Sequence, residues 1–301
     1  MNSIKELQKK ELEIAGYFVD FCKAHALLCY FCGGGCIGAV RHRGFIPWDD
    51  DLDFFMPRRD YERLQSLWKK HADVKRYSLV KSSKHVFDRN LFITIRDNNT
   101  TQIKPYQRDL DIPHGVAVDV FPLDGYPERR IERAAQCIWA LMYSLFCSQM
   151  IPVNHGKMAQ CIGRLLLFCV PSEKMRYRIW KTAEKHMKKY KWEECKGVTE
   201  LCAGPGYMKN WYPKEAFESA VMMPFEDTKM PVPIGYDVYL KTAFGNYMEL
   251  PPKEKRVAPH EAVKVDLEYS YRMYRGTYYC DKEGKEGSRK KDRRPPGWTP
   301  E

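Results

Sequence analysis

The stretch from Gly33 to Phe55, GGGCIGAVRHRGFIPWDDDLDFF, sets a glycine cluster and a carboxylate cluster so close together that only a short helical piece fits between them. That spacing restricts the fold. Gly33-x-Gly35-x-x-Gly38 formally matches a dinucleotide-binding fingerprint. Such a unit needs a crossover helix of about a dozen residues between its glycines and its acidic strand end. Here Gly44 and Pro47 stop any helix soon after Gly38. The pattern instead reads as a strand over Ala26–Cys32, a glycine turn, and a second strand over Asp49–Phe55.

On a strand, alternate side chains share a face, so Asp49, Asp51 and Asp53 are expected on one side and Leu52 and Phe54 on the other. Like charges so placed repel unless a cation lies between them. Hard carboxylate oxygens select Mg²⁺ or Mn²⁺. A third ligand is offered by VAVDVF, a strand over Val116–Phe121 ending at Pro122, in which Asp119 faces away from Val118 and Val120. Asp124 reads as a turn or cap residue. Gly34 and Gly35 let the backbone approach a phosphate, and the guanidinium forks of Arg41 and Arg43 match phosphate oxygens. The sum is a nucleotide-phosphate site for phosphoryl or nucleotidyl transfer.

The first segment resembles the LicD family signature, a Gly-Ala-x-Arg-His element running into Ile-Pro-Trp-Asp-Asp-Asp-x-Asp. Two later segments resemble it as well: HGVAVDVFPLDGYP (His114–Pro127) and YDVYLKTAFGNYMELPPKEKR (Tyr236–Arg256). The resemblance implies an α+β fold of nucleotidyltransferase type, a small mixed sheet flanked by helices with an added helical region. It implies a metal-dependent transferase that moves a phospho-alcohol from CDP-choline or a related CDP-alcohol to a hydroxyl of a cell-surface glycan, lipid-linked or free. By the same resemblance Asp51, Asp53 and Asp119 are catalytic and metal-binding, and Gly34, Gly35, Arg41 and Arg43 bind the donor phosphates. A nucleotidyltransferase acting on nucleic acid and an inactive nucleotide-binding scaffold are the rival readings; no RNA-binding module is recognisable.

A choline group needs an aromatic cage, for which Trp48, Tyr106, Trp211, Tyr212 and Tyr236 are available. Eleven cysteines, many in apolar runs, read as reduced thiols. Cys29, Cys32 and Cys36 have zinc-like spacing but no partner pair at ligand distance. The expected organisation is a catalytic core over 1–127, a helical region over 128–198, a loop-rich part over 199–280, and a disordered tail over 281–301. Within these, helices are expected over 4–25, 128–151 and 157–190, with breaks at Pro152 and Pro171. Of the net charge of +11, residues 157–196 supply +7, from eleven Lys/Arg and four acids. That charge suits an anionic partner as well as a solvated face. No apolar run reaches membrane-spanning length, so a cytoplasmic protein is expected, either soluble or peripheral on the inner face of the membrane.

Overall fold

A computed structural model describes residues 4–151, 156–258 and 261–281. The expected tail therefore lies outside the described residues except for Asp281, as does the break at Pro152. The chain begins with α1 (Ile4–Ala24), β1 (Tyr30–Cys32), the short α2 (Gly33–Ile37) and one π-helical turn at Gly38–His42. It continues through β2 (Asp53–Pro57), α3 (Arg58–His71), β3 (Tyr77–Val80), β4 (Ile93–Asp97), β5 (Thr101–Ile103) and β6 (Ala117–Tyr126). Three helices follow, α4 (Arg130–Ser148), α5 (Gly156–Cys169) and α6 (Glu173–Met187). The remainder is β7 (Gly197–Glu200), β8 (Tyr212–Pro213), the hairpin β9 (Ala220–Phe225) and β10 (Thr228–Pro233), α7 (Tyr236–Phe244), and β11 (Lys264–Asp266). This is the expected α+β architecture.

The main sheet runs β1-β2-β6-β4-β3, with β7 added to the far end of β6 and β8 to β7. Only β2 and β6 pair in parallel; the other ladders are antiparallel. One face is apolar. Phe54, Val118 and Val120 are fully buried, and Phe18 of α1 meets Phe54 edge-on at 4.9 Å. In α1, Leu7, Ile14, Phe18 and Cys22 recur at helical spacing and are all buried. In α3, Tyr61, Leu64 and Trp68 form the expected stripe.

Two expectations about strands need correction. The second strand starts at Asp53, not Asp49. Its partner β1 is only three residues long, and Cys32 stands opposite Asp53. Gly33 then turns away with φ +52°, so residues before Asp53 have no strand to pair with. Asp49–Leu52 is a loop, and Asp49 and Asp51 do not share a strand face with Asp53. β6, conversely, does not stop at Pro122. Pro122 lies between the last residue paired to β4, Val120, and the first paired to β7, Leu123. One side of the strand has no ladder there, so a missing N–H is tolerated.

Candidate functional site

The parallel β2–β6 ladder puts Asp53 beside Asp119 as register partners. Paired residues on neighbouring strands point the same way, so both carboxylates leave the sheet on one face. Cys32 on β1 and Thr94 on β4 complete that row. Above it opens a cleft of about 540 Å³ walled by Asp51, Asp53, Asp119, Lys104, Tyr106 and Phe121, with Phe92 and Glu261. The three acids expected to act together are therefore brought together, although Asp51 arrives from a loop.

That loop is held from below. Gln8 of α1 donates its amide to the carbonyls of Asp49 (2.8 Å) and Ile46 (3.3 Å). The Asp119 N–H donates to Leu52 O at 3.2 Å. At Gly34 a Cβ would stand 1.8 Å from Asp49 Oδ2, so only glycine lets this carboxylate close against the turn. Gly35 is buried against Phe31 and Leu52. Neither glycine lines the cleft. Arg41 donates to Tyr247 O (2.6 Å) and Glu249 O (3.1 Å), which ties the turn to the segment after α7. The Arg43 side chain is exposed on a left-handed residue (φ 58°).

The electrostatics favour a cation. Asp119 Oδ1 is buried without a hydrogen-bond partner among the described residues. Burial pushes the Asp53 carboxyl well up, and repulsion from Asp51 and Asp119 adds to it. The carboxylate oxygens of Asp49, Asp50 and Asp51 also lie within 4.8 Å of one another, so Asp51 belongs to both acid groups. Hard oxygen donors in this number fit Mg²⁺ or Mn²⁺.

Two charged groups of the site carry no motif. Lys104, just past β5, places Nζ 3.6 Å from Asp119 Oδ2. Burial alone would lower its ammonium, but attraction from Asp119 holds it above the ordinary value. Glu11, in the apolar stripe of α1, is fully buried with neither oxygen partnered among the described residues. Burial, then repulsion from Asp51, Asp50 and Asp49, pushes its carboxyl well up. A buried acid raised in this way stabilises the fold below its unfolded pKa, and that contribution is lost as pH rises through the folded value. Glu11→Gln, measured in EDTA, is therefore expected to gain more in Tm at about pH 8 than at about pH 5. An equal gain or a loss at both would show that Glu11 is partnered.

Asp124 corrects the reading of it as a turn or cap residue. It lies inside β6, and Arg58 donates to its two oxygens at 2.7 and 2.6 Å. The aromatic set also differs from expectation. Of the five rings proposed for a cage, only Tyr106 reaches the cleft. Tyr212 is core, packed on Phe217 and Tyr239. The guanidinium of Arg256 lies over the Trp48 ring. The cleft's other rings are Phe92 and Phe121, with centroids 4.1 Å apart. Phe121 was legible, since it lies two residues past Asp119 on the same strand and so on the same face. Cys29, Cys32 and Cys36 are buried thiols.

The mixed sheet of this α+β domain thus brings acids of two adjacent parallel strands, a loop aspartate and the half-buried Lys104 to one cleft. The family model described as LicD/FKTN/FKRP, nucleotidyltransferase domain, matches residues 27–136, which include Asp51, Asp53, Lys104 and Asp119. The chain is also 26% identical over 269 residues to the lipopolysaccharide cholinephosphotransferase LicD of Haemophilus influenzae, across 86% of this chain and 96% of that protein. Both matches bear out the resemblance to the LicD family read from the sequence. Among the described residues no helix is long and apolar enough to cross a membrane.

Proposed function

We infer that this protein transfers phosphocholine, or a closely related phospho-alcohol, from a CDP-activated donor to a hydroxyl of a glycan such as lipopolysaccharide. The observation that carries the reading is the Asp53–Asp119 pair, with Asp51 and Lys104 beside it, in a cleft that also has an aromatic wall. Asp51, Asp53 and Asp119 would hold Mg²⁺ or Mn²⁺. Such an ion, when bound, neutralises the diphosphate and polarises the phosphoryl group. Lys104 supplies a fixed positive charge for the phosphate oxygens. The acceptor oxygen forms a bond to the distal phosphorus, the bridging P–O bond breaks, and CMP leaves. Asp119, whose Oδ1 has no hydrogen-bond partner among the described residues, takes the hydroxyl proton.

The aromatic wall favours a cationic alcohol over a neutral polyol. Quaternary ammonium groups bind ring faces, and Phe92, Phe121 and Tyr106 stand in the cleft with Glu261. Mass spectrometry of lipopolysaccharide after incubation with protein, Mg²⁺ and either CDP-choline or CDP-ribitol tests the assignment. The expected product is phosphocholine-modified glycan with release of CMP. Phe92→Ala should cut kcat/KM for CDP-choline about tenfold and leave use of CDP-ribitol unimproved in absolute rate. Faster turnover of CDP-ribitol by the wild type would reverse the choice of alcohol.

A further inference from the structure

We propose that α5 and the first turns of α6 form a docking surface for an anionic lipid bilayer. α5 buries only Gly163 and Leu167. Met158, Ile162, Leu165 and Phe168, spaced i, i+4, i+7 and i+10, share the opposite side and are 78%, 52%, 61% and 82% exposed. A helix apolar toward the protein and apolar away from it needs a second apolar environment. Its length and composition exclude a span, which leaves a helix lying in an interface.

The charges specify the partner. Lys157 and Arg164 border the apolar stripe at i, i+7, and both are exposed. Arg176 donates to Leu167 O (2.9 Å) and Val170 O (2.7 Å), fixing the corner that joins α5 to α6. Beyond that corner, exposed Lys174 and Arg178 line a groove of about 610 Å³ together with Trp139, Met175 and Ile179. None of these four cations forms an ion pair with a described residue. Glu173 is the one acid at the corner. A second copy of the chain across a two-fold axis would bring these like charges together, at a cost. Anionic headgroups over an apolar interior satisfy cations and apolar side chains at once.

Flotation of the full-length protein with phosphatidylcholine vesicles, with and without phosphatidylglycerol, tests this without any need for turnover, so its outcome is separate from that of the transferase reading. Wild-type protein is expected to float with the anionic vesicles and not with pure phosphatidylcholine, and to be released by salt. Leu165→Glu/Phe168→Glu and Lys174→Glu/Arg178→Glu change exposed side chains, so each should keep the wild-type circular dichroism. Each should lower vesicle affinity about tenfold or more. Failure of the wild type to float at low salt would overturn the proposal. So would undiminished binding by both variants. A concentration-dependent dimer in light scattering that Leu165→Glu/Phe168→Glu dissolves would assign the face to a second copy instead.

Discussion

Asp53→Asn is expected to lower transferase turnover by about 10³-fold or more while leaving the fold intact, because it removes one of the charges on which the phosphoryl group's electrostatic stabilisation depends. The same substitution should raise Tm in EDTA. The Asp53 carboxyl is held up by burial and by repulsion from Asp51 and Asp119, so its ionisation opposes folding at neutral pH. Opposite signs for activity and stability are what a functional carboxylate predicts; a structural one would lose both. Full activity in both Asp51→Asn and Asp53→Asn would show that these carboxylates are not the metal and catalytic site.

Arg58→Leu is the change with the largest expected effect on stability. Arg58 opens α3, and its guanidinium grips both oxygens of Asp124, whose side chain is wholly buried. Removing the cation strands a charge inside β6, at a cost of about 3–5 kcal/mol. Replacing both partners by leucine should recover much of that loss. Urea denaturation of the single and double variants reads the difference, and a single variant within about 1 kcal/mol of wild type would show the pair to be dispensable. Glu200, opposite Leu123 on β7, is buried and pushed up to about 7, chiefly by burial. Its raised value means that stability is lost as pH rises through about 7, so these denaturations belong at one fixed pH.

The acids were legible because each stands where apolar neighbours should exclude it. Asp119 between Val118 and Val120 could not be a surface residue, and its strand placed it. The register that sets it beside Asp53 was not legible, because a parallel ladder joins segments far apart in the chain. Lys104 follows the short strand β5 and carries no pattern of its own. Glu11 did leave a signal, an acid in the stripe of Leu7, Ile14 and Phe18, but helix charge alternation hid it. The strand over Asp49–Leu52 followed from alternation alone; the three-residue length of β1 overrode it. The close approach of the Asp49 carboxylate to the bare Cα of Gly34 was not legible either, since it joins a turn to a loop fifteen residues on. The cage failed for a related reason. Ring counting cannot tell Tyr212, a core residue, from Phe121, which shares a face with the acids.

Mn²⁺ binding followed by isothermal titration and electron paramagnetic resonance reports on the Asp51, Asp53 and Asp119 site without any need for turnover. Saturable binding is expected of the wild type, with a loss of about tenfold or more in affinity in Asp53→Asn and Asp119→Asn and no change in Arg43→Ala. Undiminished Mn²⁺ binding by Asp53→Asn and Asp119→Asn alike would contradict the metal-site assignment.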